Sequence, residues 1–375
     1  MTSGLPFLTL NLALRQAALG LLLLACAPAW PADGPPPLEE IRQALRDLAL
    51  DPPTEEDLRQ LAAPEIDRQL RALDPYAELL SPGRSNGAAN PLRLGAEIYR
   101  RDDQWWLLPY QGGPLQQAGV GERTVLEAVG ERPVAALSAS ELAALLTPPK
   151  GEGLRLTLRR IGATQSERVA VRPAPFTAPS VELLPLERAP VLRIRAFVGR
   201  ETLPFLTGAI AQASKSGPLI IDLRDALGGD LFEALDCAAL FLPAGALLAN
   251  TRDRAGQLTP YRSQAGAKVE RPLRLLVGPD TASAAEVFAA ILQHYRRAVL
   301  IGRTTRGKCR SQTLAALSGG YRLRLTNLAV LPAGGQDCQG KGIQPDVVVD
   351  EKELYATAAL VERTLRPRNA PSAGK

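Results

Sequence analysis

LRLLVGPDTASAAEVFAAILQHYRRAVLIG, residues 273–302, decides the fold of this chain. It opens on a short apolar run, LRLLVG (273–278), that reads as a buried strand. Proline and aspartate break the run, apolar residues then recur at helical spacing after Ser283, and AVLIG (298–302) reads as a second strand. Strand, helix and strand in that order predict two parallel strands joined by a crossover.

The same alternation extends upstream. PLIIDLR (218–224) is a buried strand, followed by a turn at Gly228-Gly229 and a helix over FEALDCAALFL (232–242). VLRIRAF (191–197) alternates Leu192, Ile194 and Ala196 with Arg193 and Arg195, which predicts a half-buried strand, and a helix follows over 202–214. Downstream, SQTLAALSGGYRLRLTN (311–327) reads as a hairpin about Gly319 and Gly320, with Tyr321, Leu323 and Leu325 on one face. The whole predicts a multidomain α/β protein whose last large unit is built on a mainly parallel sheet.

Two other units precede it. Apolar residues from Leu38 to Leu70 recur at helical spacing, so 38–80 reads as a helical cap segment after the Pro-rich linker 32–37. SPGRSNGAANP (81–91) is a linker by composition. Residues 92–173 carry strand-like runs at 92–99, 105–110, 124–129 and 154–160, a short helix within 112–120, and a helix over 138–146 that starts in a Ser138/Glu141 capping box. The last residues, 366–375, read as a disordered tail.

The N-terminal stretch 1–27 has a weakly basic start and an apolar stretch (17–25) followed by small residues, the pattern of an export signal. An uncleaved anchor and a lipidated Cys26 within LLAC (23–26) are the alternatives, and either would tie the protein to a membrane through its N-terminus. The expected location is the periplasm or cell envelope. With Cys26 removed or lipidated, Cys237, Cys309 and Cys338 remain. Cys237 reads as a core residue, and a Cys309–Cys338 disulfide is one pairing the sequence allows. The spacing of cysteine and histidine fits no zinc site. The formal charge of +5 is mild and the arginines are scattered, which argues against nucleic acid as a partner.

Ser283 stands at a strand-turn-helix junction, where the first N–H groups of the helix point at whatever lies beside it. A serine nucleophile needs a base. The sole histidine, His294, lies well along the same helix, roughly 16 Å away, and is excluded. Lysine is the remaining partner, and Ser-Lys pairs are a recognised acyl-transfer device. Lys308 would have to be neutral to act, which burial achieves by penalising the ammonium. Gln312, a little further on, would share the face of Lys308 in an extended segment and orient its amine. The N–H of Ala284 and the turn at Gly228 and Gly229 are the candidate oxyanion donors. Singly, each feature is also what an ordinary helix cap, loop lysine or turn looks like.

From Leu73 to Asp350 the chain resembles the carboxy-terminal processing proteases, the tail-specific peptidases of family S41. The resemblance rests on LDPYAELLSP (73–82), IDLRDALGGDLFEALDCAALFL (221–242), TASAAEVFAAILQHYRRAVLIGRTTRGKCRSQ (281–312) and GKGIQPDVVVD (340–350). It implies a catalytic domain over 185–350 of the ClpP/crotonase-like type, followed by a C-terminal helix within 351–375. Ser283 falls on the nucleophile, Lys308 on the general base at the family's own spacing from the serine, and Gln312 on the residue assisting the lysine. The oxyanion donors fall on Gly228, Gly229 and Ala284. Residues 112–160 resemble a bacterial PDZ domain. That places a carboxylate-holding loop at Leu94, Gly95 and Ala96 and implies capture of protein or peptide substrates through their C-termini by strand addition. No cofactor is implied. Two departures stand out: Ala226-Leu227 replaces the usual Asn-Pro, and Cys309 replaces the glycine after the lysine. The rival expectation is a silent adaptor or chaperone that binds tails without cutting.

Overall fold

A computed structural model describes residues 34–82, 93–101, 103–149, 151–184, 189–213, 217–264 and 266–365. The predicted export signal, Cys26, most of the linker at 81–91 and the tail at 366–375 lie outside the described residues.

The N-terminal segment folds into α1 (Leu38–Leu48), α2 (Glu55–Arg59), α3 (Ile66–Leu73) and the short strand β1 (Glu78–Leu80). Thr54 caps α2 in a reciprocal box with Asp57. Ile41, Leu45, Leu58 and Leu70 are buried against Leu323 and Leu325. These helices therefore cover the hairpin face that the sequence identified.

The middle unit contains β2 (Ala96–Arg101), β3 (Gln104–Pro109), α4 (Pro114–Gln117), β4 (Thr124–Val129), β5 (Arg132–Pro133), α5 (Ala139–Leu145), β6 (Leu154–Arg160) and β7 (Glu167–Val171). Its sheet runs β2-β3-β4-β6-β7, with β5 beside β4. The strand β2 is at one end of this order. Ser138 caps α5 as expected, its hydroxyl accepting from the Glu141 N–H.

The third unit has β8 (Val181–Leu184), β9 (Val191–Ile194), α6 (Thr202–Gln212), β10 (Leu219–Asp222), α7 (Leu231–Ala239), β11 (Leu247–Arg252), β12 (Leu258–Arg262), β13 (Leu273–Val277), α8 (Ala284–His294), β14 (Ala298–Gly302), β15 (Arg310–Ala316), β16 (Arg322–Pro332), β17 (Val347–Val348), α9 (Glu351–Tyr355) and α10 (Thr357–Leu365). One sheet runs β17-β14-β13-β10-β9-β8, parallel throughout except for the β8–β9 pair. Its main core lies against α6, α7 and α8, where Phe288 touches both Phe197 and Phe241. An antiparallel sheet, β1-β16-β11-β12 with β15 also on β16, joins the N-terminal segment to the third unit.

One strand differs from its sequence pattern. Arg193 and Arg195 are not free surface arginines. Arg195 is 2% exposed and its Nε donates to Glu182 at 2.5 Å, while Arg193 Nε donates to Asp222 at 3.0 Å. The strand is covered on both faces, and buried carboxylates partner the arginines, which a reading by alternation takes for solvent.

Candidate active site

The site is set by two neighbouring parallel strands. β10 and β13 pair in register, Asp222 opposite Leu276, so the loops leaving their carboxyl ends start side by side. Ligands bind at such ends in open α/β sheets. The first loop carries Gly228 and Gly229 into α7, and the second carries Ser283 into α8. β15 and its preceding loop bring in Lys308. A pocket of about 120 Å³ is lined by Gly229, Ser283, Ala284, Lys308, Gln312 and Val330, among others.

Ser283 has φ +55° and ψ −125°. An N-cap residue ordinarily sits in the extended region. A non-glycine residue held at positive φ stores strain, and such residues cluster at functional sites. The sharp strand-to-helix turn aims the side chain into the pocket. Gly228 packs directly behind it: a Cβ there would lie 2.6 Å from the Ser283 Cβ. A Cβ on Gly229 would lie 2.2 Å from the Phe197 carbonyl oxygen. With φ values of +110° and +128°, only glycine fits both positions. The replaced Asn-Pro leaves this turn intact. Phe197 N–H donates to Gly228 O and Asp230 N–H to Phe197 O, fixing the turn while the N–H groups of Gly228, Gly229 and Ala284 have no partner among the described residues. Gly229 and Ala284 line the pocket beside Ser283, and free backbone donors grouped in this way favour an anion.

Lys308 lines the same pocket, but its amine makes no hydrogen bond to Ser283. Its Nζ sits 4.9 Å from the centroid of the Tyr76 ring. Burial, followed by the positive charges of Arg324 and Arg306, holds its pKa below the ordinary lysine value, against the opposite pull of Asp74 and Glu286. Gln312 lines the pocket, yet its Nε2 donates to the Arg310 carbonyl at 2.8 Å and not to the lysine. Lys308 precedes the strand and the register shifts between Ser311 and Gln312, so regular strand alternation does not relate the two, although both line the pocket.

Three features of the site escaped the sequence reading. Glu286 is fully buried and accepts from the N–H groups of Ser283 (3.0 Å), Gly307 (2.7 Å) and Lys308 (2.7 Å), and from the Thr305 hydroxyl. Its signal was the Ser-x-x-Glu spacing of a capping box. Tyr76, the second, lay within the quoted LDPYAELLSP. The third is a cluster of arginines and aspartates. Arg123 of the middle unit, 6% exposed, bonds Asp225 and, at 2.6 Å, Asp280. Asp280 also receives Arg101 at 3.2 Å and Arg306 at 2.9 Å. The middle unit thus grips both site loops, just before Gly228 and just before Ser283. The cysteine pairing that the sequence only allowed is formed: Cys309 and Cys338 make a disulfide, and Cys237 is a buried free thiol.

Leu94, Gly95 and Ala96 do not line the pocket. Leu94 and Ala96 are buried in the middle unit's core, and Gly95 packs against Gly113. A larger cavity, about 720 Å³, separates the middle unit from α9 and the parallel sheet. Its arginines are already ion-paired: Arg123 with Asp225 and Asp280, Arg193 and Arg224 with the shared Asp222, and Arg160 with Glu167.

Residues 190–349 match peptidase family S41. A probable CtpA-like serine protease of Staphylococcus aureus (strain COL) is 27% identical over 325 residues, 84% of this chain and 65% of that protein. One from Staphylococcus haemolyticus (strain JCSC1435) is 25% identical over 334 residues, 86% of this chain and 67% of that protein. The chain thus spans about two thirds of the length of these curated relatives. Among solved structures, a photosystem II D1 C-terminal processing protease is similar over 89% of this chain and 97% of its own, with 22% identity and a TM-score of 0.60. A putative S41 protease from Bacteroides fragilis covers 90% of this chain and 98% of its own, with 17% identity and a TM-score of 0.56. These two likenesses show a shared mixed α/β fold.

Proposed function

We propose that this chain, whose residues 190–349 carry the S41 peptidase match, is a serine endopeptidase working through Ser283 and Lys308. One observation carries the reading: Ser283 at positive φ, the N–H groups of Gly229 and Ala284, without partners among the described residues, and a half-buried lysine meet at one small pocket. Neutral Lys308 takes the Ser283 proton as the oxygen attacks the substrate carbonyl. The N–H groups of Gly228 or Gly229 and of Ala284 receive the developing oxyanion, each such donor contributing about 3 kcal/mol to transition-state stabilisation. The lysine ammonium then protonates the leaving amine, and water later cleaves the acyl-enzyme. Gln312 lies close enough to the pocket to steady the amine once Lys308 reaches the serine.

In this proposal the middle unit is a PDZ domain that captures substrate C-termini by strand addition beside β2, with Leu94, Gly95 and Ala96 at the carboxylate loop. The Arg123 contacts to Asp225 and Asp280 support a link between that domain and the catalytic loops. Export to the cell envelope belongs to the same reading.

Purified protein tested on peptides with apolar C-termini, beside Ser283→Ala and Lys308→Ala, decides the matter. Turnover by the parent and loss in both variants is the expected result. Tail binding without turnover in the parent would instead make the chain an adaptor.

A further inference from the structure

The Lys308 amine has a defined partner, and it is an aromatic ring. Nζ stands 4.9 Å from the Tyr76 centroid, within the range of a cation–π contact. The ring is held through its hydroxyl and its backbone. Its hydroxyl accepts from Gln339 Nε2 at 2.8 Å, and Gln339 Oε1 accepts from the Cys309 N–H at 2.9 Å, next to the lysine itself. The Tyr76 N–H donates to Asp74 Oδ1 at 2.9 Å, and Asp74 in turn accepts from the Thr326 N–H and hydroxyl. The Cys309–Cys338 bridge ties the segment carrying Gln339 to the lysine loop. Ring, glutamine and lysine backbone therefore form one closed circuit.

We propose that the face of Tyr76 is the resting station of the Lys308 amine, holding the ammonium off Ser283 until the amine leaves the ring for the hydroxyl. Tyr76 is a positioning residue, and the inference rests on the peptidase reading above. A ring face attracts the charged amine and not the neutral one. Station and protonation state are consequently linked: the amine that rests on the ring is the protonated one, and the amine that serves as base has left it. The other groups facing this amine are Asp74 beside the tyrosine, Glu286 from α8, Arg324 from β16 and Arg306 from its own loop. They stay in place in the variants below.

The test changes the ring's charge distribution and leaves its shape. Tyr76→Phe is prepared with ordinary phenylalanine and with one and three ring fluorines, each in protein labelled at lysine Cε. Seven lysines are present, and Lys308→Arg assigns the signal. The titration midpoint of Lys308 is read by NMR, and kcat/KM is followed against pH. Weakening the ring face step by step is expected to lower the midpoint step by step, by about half a pH unit in total, and to raise kcat/KM at pH 7 about threefold. A merely structural tyrosine would leave the midpoint flat across the series, and that result would overturn the proposal. Tyr76→Leu, which removes the ring but keeps apolar cover, must move the midpoint in the same direction. Absence of Ser283-dependent turnover in the parent is a separate failure, that of the peptidase reading, because the titration needs no substrate.

Discussion

The backbones of Ser283 and Lys308, which belong to different loops, hang from a single atom: both N–H groups donate to Oε2 of Glu286, at 3.0 and 2.7 Å. The other oxygen of that carboxylate holds Thr305 and Gly307. The two residues proposed to react are thereby registered to each other through α8, whatever their side chains do. Removing Glu286 leaves buried N–H groups unpartnered, and bonds to a carboxylate are worth more than neutral ones. Glu286→Ala is expected to lower unfolding stability by about 3–5 kcal/mol and kcat at least a hundredfold. Denaturant unfolding and peptide turnover measure the two.

Ser283 is expected to be a residue that the fold holds at a cost. Its φ of +55° suits glycine, so Ser283→Gly should raise stability by about 1 kcal/mol while abolishing turnover. Ser283→Ala should abolish turnover without that gain. Equal melting temperatures for the two variants would contradict the strain argument.

Lys308 yields a prediction with a definite sign. Its folded pKa lies below that of the unfolded chain, so between the two values the unfolded state binds more protons and stability rises with pH. The window runs from the lowered folded value up to about 10.4. Lys308→Met, with no proton to bind, should be more stable than the parent at neutral pH, and the advantage should vanish above that window. In the parent, kcat/KM should rise with pH as the amine loses its proton, and this limb should disappear in Lys308→Arg.

Arg123 is the cross-unit contact most exposed to test. It is buried beside Tyr99, Trp106 and Tyr355, and its loss strands the Asp225 carboxylate and leaves Asp280 to Arg101 and Arg306. Arg123→Met is expected to cost about 3–5 kcal/mol. A double-mutant cycle with Asp280→Asn should show coupling above about 0.5 kcal/mol, and additivity would refute the contact. Turnover should fall with it, since both site loops are gripped there.

Much of this was legible in the residues. The strand-turn-helix that carries Ser283, the Gly228-Gly229 turn and the hairpin about Gly319 each follow from periodicity and punctuation, because those elements are local. What stayed hidden is what the chain assembles from distant parts. Tyr76 of the N-terminal segment meets Lys308 of the third unit, and Arg123 of the middle unit meets Asp280, contacts that no local pattern encodes. Arg193 and Arg195 mislead for the same reason, their carboxylates lying on other strands. β11 and β12 went unread altogether. Both belong to a sheet whose partners come from either end of the chain.

The disulfide closes a loop between positions 29 residues apart, so reduction should lower stability by about 3–4 kcal/mol. Because the bridge is next to Lys308, reduction or Cys309→Ser should also reduce turnover. Unchanged activity after either treatment would show that the bridge does not serve the lysine.

The N-terminal helices bear on any attempt at dissection. β1 pairs with β16 at Leu323, Asp74 holds Thr326, and leucines and isoleucines of α1–α3 seal Leu323 and Leu325. A fragment trimmed to residues 190–349 would keep every proposed reacting group yet expose an unpaired strand border and its greasy flank. Such borders recruit other chains, so the fragment should aggregate unless residues 34–82 are supplied in trans.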